Sequence, residues 1–228
     1  MPIHEDWLGD PLKKSEQQFG YVDLLPDVGR NESWKHYHLA ARIKLEGAAY
    51  HCRHILGSAS MTPEIGAWDI NSRMMEWYLD AFFFELMSAY EVVLQELNIL
   101  YAKDSSIGEE EVRWASIKPL LGDNLAESMQ QVRDLLWFKK LKEHRNRSAH
   151  RSHTPLASWS AGFGGRIWEH DAHGISMAYT HPESEQLELE SVVECRTYLK
   201  AMLDHICDVW QRVADDFDIL DTNTRVDV

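Results

Sequence analysis

Apolar residues recur at helical spacing in four long stretches of this chain. The first stretch begins at Ser33, a residue type favoured at helix N-caps, and ends near Gly57. The second covers residues 70–102, the third begins at Asn124, and the fourth covers residues 187–218. Four long amphipathic stretches predict an all-α fold, and their lengths favour an up-and-down four-helix bundle.

The second stretch is apolar on nearly every side of the helix that it predicts. Because such a helix is buried, we expect one side of it in the core of the chain and another side against a second subunit. Four acidic residues interrupt its most apolar part, residues 79–101, at Asp80, Glu85, Glu91 and Glu96. Charges of this kind argue against a membrane-spanning helix.

The segments around these helices have a different character. Residues 1–32 contain several glycines and prolines without sustained periodicity, which predicts an irregular N-terminal arm. Residues 154–186 contain two short alternating runs around a DAHG turn, which predicts a small β-hairpin insertion. We expect a single domain over residues 1–228. Within it lie the first three long helices with a short helix at 33–153, the last helix at 187–218 and a tail at 219–228.

The composition adds limits on where the chain works. Its formal charge is −14, yet 44% of its 228 residues are hydrophobic, which is far more than a disordered acidic chain carries. The first residues lack the basic and apolar regions of a secretory signal, and the three Cys occur at unrelated spacings. These features favour a folded protein in the reducing cytoplasm.

One segment reverses the acidic charge of the chain. Residues 133–153 contain seven Lys or Arg against two Asp or Glu, a net charge of +5, together with three His. Such segregation is typical of a surface that binds phosphate or an acidic partner. The alternative is that cations at a helix end complement the helix dipole and cover apolar neighbours. That alternative explains Lys139, Lys140 and Lys142, but it does not require the Asn and His that follow.

The charge distribution also limits the expected contact with RNA. Outside residues 133–153 the chain carries a net charge of −19, and negative charge repels a polyanion. We therefore expect RNA binding to be modest, sensitive to salt and confined to the basic segment.

The end of the basic segment carries residue types suited to RNA cleavage, namely Arg145, Asn146 and His150. An imidazole can take the proton of a 2′-hydroxyl, and a guanidinium can hold the phosphate as negative charge builds on its oxygens. An amide can orient either group by hydrogen bonds. On a helix, positions 146 and 150 share a face, whereas positions 145 and 150 are about 140° apart. Spacing alone therefore leaves open whether the three residues form one site.

The string RNRSAH at residues 145–150 resembles the Arg-Asn-x-x-x-His motif of HEPN domains. Its position at the end of the third long helix of an expected bundle is similar to the arrangement in that superfamily. The resemblance implies a homodimer of all-α subunits in which one motif from each subunit forms a composite cleft. It also implies a metal-independent endoribonuclease without a cofactor, of the kind found in toxin–antitoxin, CRISPR-associated and antiviral systems.

The motif positions carry over to this chain one by one. The resemblance implies that Arg145, Asn146 and His150 are the catalytic set. RNA or a nucleotide in the dimer cleft would be guided by the neighbouring residues Lys142, His144, Arg147, Arg151 and His153. Members of the superfamily often add an acidic or polar residue from an earlier helix, and the candidates Asp80, Glu85, Ser88 and Glu91 stay open. An antitoxin or regulatory protein is a further expected partner.

Three other functions stay open. Many HEPN proteins are non-catalytic, so the same fold could serve as a nucleotide- or protein-binding regulatory module. A metal-dependent hydrolase would need ligands such as those in two close groups, His51, Cys52 and His54, and His170, Asp171 and His173. A Ser-His-Asp triad would lack the supporting GxSxG motif.

Overall fold

A computed structural model describes residues 6–19, 23–59, 68–102, 107–150, 156–158 and 175–218 of the chain. This part of the chain is mostly helical and carries one small antiparallel sheet. Its α-helices are α1 (Asp6–Phe19), α2 (Val28–Ala59), α3 (Trp68–Tyr101), α4 (Trp114–Ile117), α5 (Asp123–Asp134), α6 (Leu136–His150) and α7 (Glu194–Asp216). Its strands are β1 (Leu156–Ser158), β2 (Ile175–Thr180) and β3 (Leu187–Ser191). Short 3₁₀ turns cover Glu109–Glu111 and Lys118–Leu120. The prediction of a mostly helical chain is confirmed.

The first two predicted long helices are present, and the first is longer than its apolar pattern indicated. Helix α2 begins at Val28, where the Asp27 carboxylate accepts a hydrogen bond of 2.7 Å from the backbone N–H of Arg30. This contact caps the helix, because the first backbone N–H groups of a helix lack partners within it. Ser33 is therefore not the N-cap. It lies inside α2, where its hydroxyl donates to the carbonyl of Gly29 at 3.0 Å.

The prediction of an irregular arm over residues 1–32 is wrong for most of its length. Helix α1 occupies Asp6–Phe19, and it tolerates Pro11 within its span. Its buried residues include Leu12, Ser15 and Phe19, which recur at a spacing of three and four. Three residues are too few to be recognised as a helical pattern beside the nearby glycines and proline. Only the structure shows that they form the buried face of α1.

The third predicted helix is two helices. Helix α5 ends at Asp134 and α6 begins at Leu136, with a bend at Leu135. Leu135 and Leu136 are 49% and 41% exposed, so the two leucines at the bend are not part of the core. The backbone N–H of Lys139 donates to the carbonyl of Leu135 at 3.2 Å, which closes the first turn of α6.

The sheet corrects the predicted boundary between the insertion and the last helix. Strands β1, β2 and β3 are antiparallel neighbours in that order, and Ala178 of β2 lies opposite Leu189 of β3. Residues 187–191 are therefore a strand, and the last helix begins only at Glu194. The sequence LELES alternates with the period of a strand, whereas helical spacing of apolar residues begins near Val192. One run of the predicted hairpin became β2, and the other, residues 166–170, lies outside the described residues.

The chain divides into two compact units. Unit 1 consists of residues 1–44, 88–132 and 202–228, and unit 2 consists of residues 45–87 and 133–201. Each unit has an apolar core of its own. The largest buried side chains of unit 1 include Phe19, Trp34, Tyr90 and Leu97, and those of unit 2 include Phe82, Phe83, Phe138 and Tyr179. The prediction of a single domain over 1–228 stays a prediction.

Helix α3 is the longest helix of the described chain. Neither α3 nor any other described helix combines the length and the apolarity that a membrane span requires.

Candidate functional site

Helix α6 carries the RNRSAH motif and belongs to unit 2. The helix continues to His150, so the motif is helical throughout, with positions 146 and 150 one turn apart. Phe138 and Leu141 anchor the helix, because their side chains are 2% and 0% exposed. Position 145 lies on the same side of the helix as these two residues, and Arg145 is half-buried.

A second stripe of α6 faces the sheet. Lys140, His144 and Arg147 lie within about 60° of one another around the helix axis, and each of them contacts β2 or β3. The ammonium of Lys140 lies 2.9 Å from the Glu190 carboxylate, and the Arg147 guanidinium donates to the carbonyl of Ala178 at 3.0 Å. These contacts dock the helix that carries the motif on the sheet.

Glu190 is the hub of a buried polar cluster, which we call the sheet centre and which consists of Lys140, His144, Glu190 and Tyr198. One oxygen of Glu190 accepts from Lys140, and the other lies 3.2 Å from His144 Nε2 and 2.5 Å from the Tyr198 hydroxyl. The His144 ring stacks on Phe83 with a centroid distance of 4.4 Å and an interplanar angle of 2°. The sheet centre therefore joins α3, α6, β3 and α7 within unit 2.

The pKa shifts assign protonation states in the sheet centre. Burial lowers the pKa of His144, although its hydrogen bond with Glu190 opposes that change. Burial raises the pKa of Glu190, but hydrogen bonds from His144, Tyr198 and Lys140 outweigh burial and hold that pKa below its usual value. Burial also lowers the pKa of Lys140, yet its contacts with Tyr179 and Glu190 hold that pKa above its usual value. We infer a neutral imidazole whose Nε2–H donates to an ionised carboxylate, with Lys140 as the positive partner.

The expected role of His144 in RNA binding does not fit its environment. Its side chain is 0% exposed, so it offers no atom to a phosphate at the surface. The sequence could not separate His144 from its neighbours, because its burial depends on Phe83 and Glu190, which lie far away along the chain. His144 instead holds α6 in place beside the motif.

The other predicted site residues fall into two groups. Lys142 is exposed and Asn146 is half-buried, and positions 142, 146 and 150 form a stripe on a different side of α6 from the sheet-facing stripe. The side chain of His150, and Arg151 and His153 entirely, lie outside the described residues. Of the four candidate residues on α3, Ser88 is buried and Glu91 is exposed, whereas Asp80 and Glu85 are half-buried.

The histidines considered as metal ligands have other surroundings where they are described. The ring of His54 stacks on Tyr78 with a centroid distance of 4.8 Å, and Cys52 is buried. Burial raises the pKa of the Cys52 thiol to about 12 and lowers the pKa of His51. The residues that the structure describes contain no group of three or more His, Cys, Asp or Glu suited to a metal ion. The second predicted group, at residues 170–173, lies outside them.

Unit 1 contains a second buried polar cluster, which no local sequence pattern indicates. This core centre consists of Ser15, His38, Glu96 and Trp210. His38 Nε2 lies 2.9 Å from the Ser15 hydroxyl, and Nδ1 lies 3.3 Å from Glu96. The Trp210 indole N–H donates to the same Glu96 oxygen at 3.0 Å.

The core centre has the connectivity of an acyl-transfer triad but the surroundings of a protein core. Ser15 and His38 are each 5% exposed and Glu96 is 2% exposed. The ring of His38 packs against Phe19 and Trp210, with centroid distances of 5.1 Å and 4.5 Å. A nucleophile needs an accessible position for a reacting carbonyl, and this packing encloses the serine. We therefore assign the core centre to the stability of unit 1.

No family model, curated protein or solved structure matches this chain.

Proposed function

We propose that this protein is a HEPN-like, metal-independent endoribonuclease that cleaves single-stranded RNA as a homodimer of four-helix bundles. The observation that supports the proposal is the position of the RNRSAH motif. It ends a continuous helix, α6, within the basic segment of an otherwise acidic chain. Asn146 and His150 then occupy adjacent turns of one face, next to the exposed Lys142.

In the proposed reaction each motif residue has one role. The His150 imidazole takes the proton of a ribose 2′-hydroxyl, and the resulting oxygen attacks the adjacent phosphorus. The Arg145 guanidinium stabilises the negative charge that builds on the phosphate oxygens. Asn146 orients the nucleotide or the imidazole by hydrogen bonds. The 5′-oxygen leaves with a proton that an imidazole returns, so the step needs neither a metal ion nor a cofactor.

The positions on α6 favour a site completed by two copies of the chain. Residues 145 and 150 are about 140° apart around the helix, and Arg145 lies on the side of the buried anchors Phe138 and Leu141. One helix therefore does not bring the two positions to the same face by itself. Two copies of α6 across a cleft would bring the arginine of one subunit to the histidine of the other.

Helix α3 offers a surface for the second copy. Met74, Trp77 and Phe84 are 42%, 65% and 50% exposed, and their spacing of three and seven residues places them on one face of the helix. Exposed apolar side chains grouped in this way are typical of an interaction surface. The exposed face of α3 supports the prediction that one side of this apolar helix packs against a second subunit.

The proposal is tested with purified protein and a fluorescently labelled single-stranded RNA in EDTA. We expect the wild type to cleave the RNA, and His150→Ala to lose at least about 100-fold in rate, because general acid–base catalysis contributes that much. The matched control is His36→Ala, an exposed position on α2, which should retain the wild-type rate. No cleavage by the wild type, or equal rates for wild type and His150→Ala, would disprove the proposal.

A non-catalytic binding module is the second candidate function. The half-buried position of Arg145 supports it, because an arginine can bind an anion without a histidine beside it. Thermal-shift measurements with nucleotides would separate the candidates. A ligand that raises the melting temperature and stays intact supports a regulatory module, to which a nucleotide or a protein such as an antitoxin binds.

A further inference from the structure

The segment that leads into β3 is acidic and lies against the basic helix. Residues 183–190, which we call the acidic segment, contain Glu183, Glu185, Glu188 and Glu190 and no Lys or Arg. Helix α6 carries most of the cations of the basic segment, residues 133–153, to which we expect RNA binding to be confined. Two of the four glutamates contact these cations, so part of the basic charge is already used within unit 2.

The two contacts differ in how firmly they are held. Glu190 pairs with Lys140 at 2.9 Å, and the two side chains are only 11% and 19% exposed. His144 and Tyr198 bind the same carboxylate, so this end of the segment is fixed. Glu183 pairs with Lys139 at 3.4 Å, and these side chains are 61% and 38% exposed. Exposed ion pairs contribute little stability, so the Glu183 carboxylate can leave Lys139. The backbone of this turn stays in place, because the N–H of His181 donates to the Gln186 carbonyl at 2.8 Å and the N–H of Glu185 donates to the His181 carbonyl at 2.9 Å.

The acidic segment occupies cations that an RNA phosphate would otherwise take. A carboxylate on a lysine uses the same charge and the same N–H donors that bind a phosphate. Each phosphate that replaces water at a free lysine releases counterions and strengthens binding. A phosphate that approaches Lys139 must instead displace Glu183 and tolerate the negative charge of the neighbouring Glu185.

We propose that the acidic segment is an autoinhibitory contact that competes with RNA for the basic face of α6, with Glu183 as its displaceable end and Glu190 as its anchor. This inference rests on the proposed function, since it assumes that RNA binds at α6. Once the Glu183 carboxylate has left Lys139, Lys139 and Lys142 together bind RNA. The anchor at Glu190 keeps Lys140 out of RNA contact in both states.

The test compares two glutamates of one turn by their effect on RNA affinity. Glu183→Gln removes the carboxylate that pairs with Lys139. Glu185→Gln removes the same charge two residues away, and it is the matched control because no α6 contact of Glu185 is present among the described residues. Affinity for a labelled single-stranded RNA is measured by fluorescence anisotropy in EDTA over a range of salt concentrations.

We expect Glu183→Gln to bind RNA about two- to threefold more tightly than Glu185→Gln at low salt, as the loss of a weak exposed ion pair allows. We also expect a steeper dependence of log affinity on log salt concentration for Glu183→Gln. One freed lysine adds one phosphate contact, which steepens the slope by about 0.7 for a single strand. In a Lys139→Gln background the two Glu variants should bind equally, because no cation remains to be freed.

The results decide the inference independently of the nuclease proposal. Equal affinity and slope for the two Glu variants would overturn the autoinhibitory contact, and so would absence of RNA binding by every variant. A difference between the two Glu variants that persists in the Lys139→Gln background would overturn it as well. Binding that follows the expected pattern without cleavage in EDTA would retain the contact and remove the nuclease proposal.

Discussion

The two buried polar centres of this protein place a histidine against a glutamate in different electrostatic settings. In the sheet centre Lys140 supplies a positive partner, and both oxygens of Glu190 have hydrogen-bond donors. In the core centre the partners of Glu96 are His38 and Trp210, and Glu96 Oε1 has no hydrogen-bond partner among the described residues. The first centre depends on a charge pair, whereas the second depends on hydrogen bonds and aromatic packing. The same pair of residue types therefore serves two kinds of structural role.

The largest expected effect compares the same substitution in the two centres. Glu190→Gln leaves Lys140 without its carboxylate, and removing one partner of a buried pair is strongly destabilising. Because the two side chains keep 11% and 19% exposure, we expect a loss of about 2–3 kcal/mol in the free energy of unfolding. Glu96→Gln keeps an acceptor oxygen for His38 and Trp210 in the same volume, so its change should stay within about 1 kcal/mol.

Urea denaturation followed by circular dichroism at pH 7 measures both variants. Equal losses for Glu190→Gln and Glu96→Gln would show that the cation at Lys140 does not distinguish the centres. A larger loss for Glu96→Gln would reverse the comparison.

A second, intermediate effect concerns the pH dependence of stability. The pKa of His144 in the folded protein is lowered from 6.5. Between these two pKa values the unfolded chain binds a proton at His144 and the folded chain does not. Stability is then fully present above pH 6.5 and is lost as the pH falls from there toward the folded pKa, at a rate of at most about 1.4 kcal/mol per pH unit for one proton. The lowered pKa of Glu190 acts in the same direction, but only below its usual value of 4.5.

Denaturation of the wild type and of His144→Gln at several pH values between 7 and 5 isolates this contribution. The variant has no titrating group at this position, so its stability should fall less steeply over that window. Parallel curves for the two proteins would contradict a neutral buried imidazole in the sheet centre.

The smallest expected effect lies in the core centre. Ser15→Ala removes the hydroxyl that contacts His38 Nε2 at 2.9 Å and leaves a buried ring nitrogen without that partner. We expect a loss of about 1 kcal/mol, the usual net contribution of such a hydrogen bond. Ser33→Ala, at an exposed position on α2, should change stability by less than about 0.5 kcal/mol. Thermal and urea unfolding measure both variants. Equal losses in the free energy of unfolding would show that the Ser15 hydroxyl does not stabilise the core centre.

Much of the helical structure could be predicted from local pattern, but its boundaries could not. The apolar spacing located α2 and α3, because helices of this length carry many repeats of the signal. It missed α1, whose buried face has few residues, and it extended the last helix through β3. The few residues of Leu187–Ser191 fit both a helical and an alternating strand pattern, and their pairing with β2 makes them a strand.

The candidate site could be predicted only in part. The sequence located the basic segment and the motif at Arg145, Asn146 and His150, because both are local features. It did not separate Lys142, which is exposed, from His144, which is 0% exposed. It also missed the core centre, because Ser15, His38 and Glu96 are joined across 23 and 58 residues of chain.

The sequence by itself determined a mostly helical chain, an acidic composition and one basic segment that ends in the RNRSAH string. These properties follow from composition and from periodicity within single stretches. Only the tertiary structure decided which lysines of that segment pair with carboxylates. Glu183 and Glu190 lie 44 and 50 residues along the chain from the lysines that they bind. The tertiary structure also decided which face of β3 is buried, since Leu187 is 66% exposed and the Glu190 side chain only 11%. A simple alternating pattern would bury the leucines. The carboxylate of Glu190 is buried instead, because Lys140, His144 and Tyr198 together supply the donors that a buried charge requires.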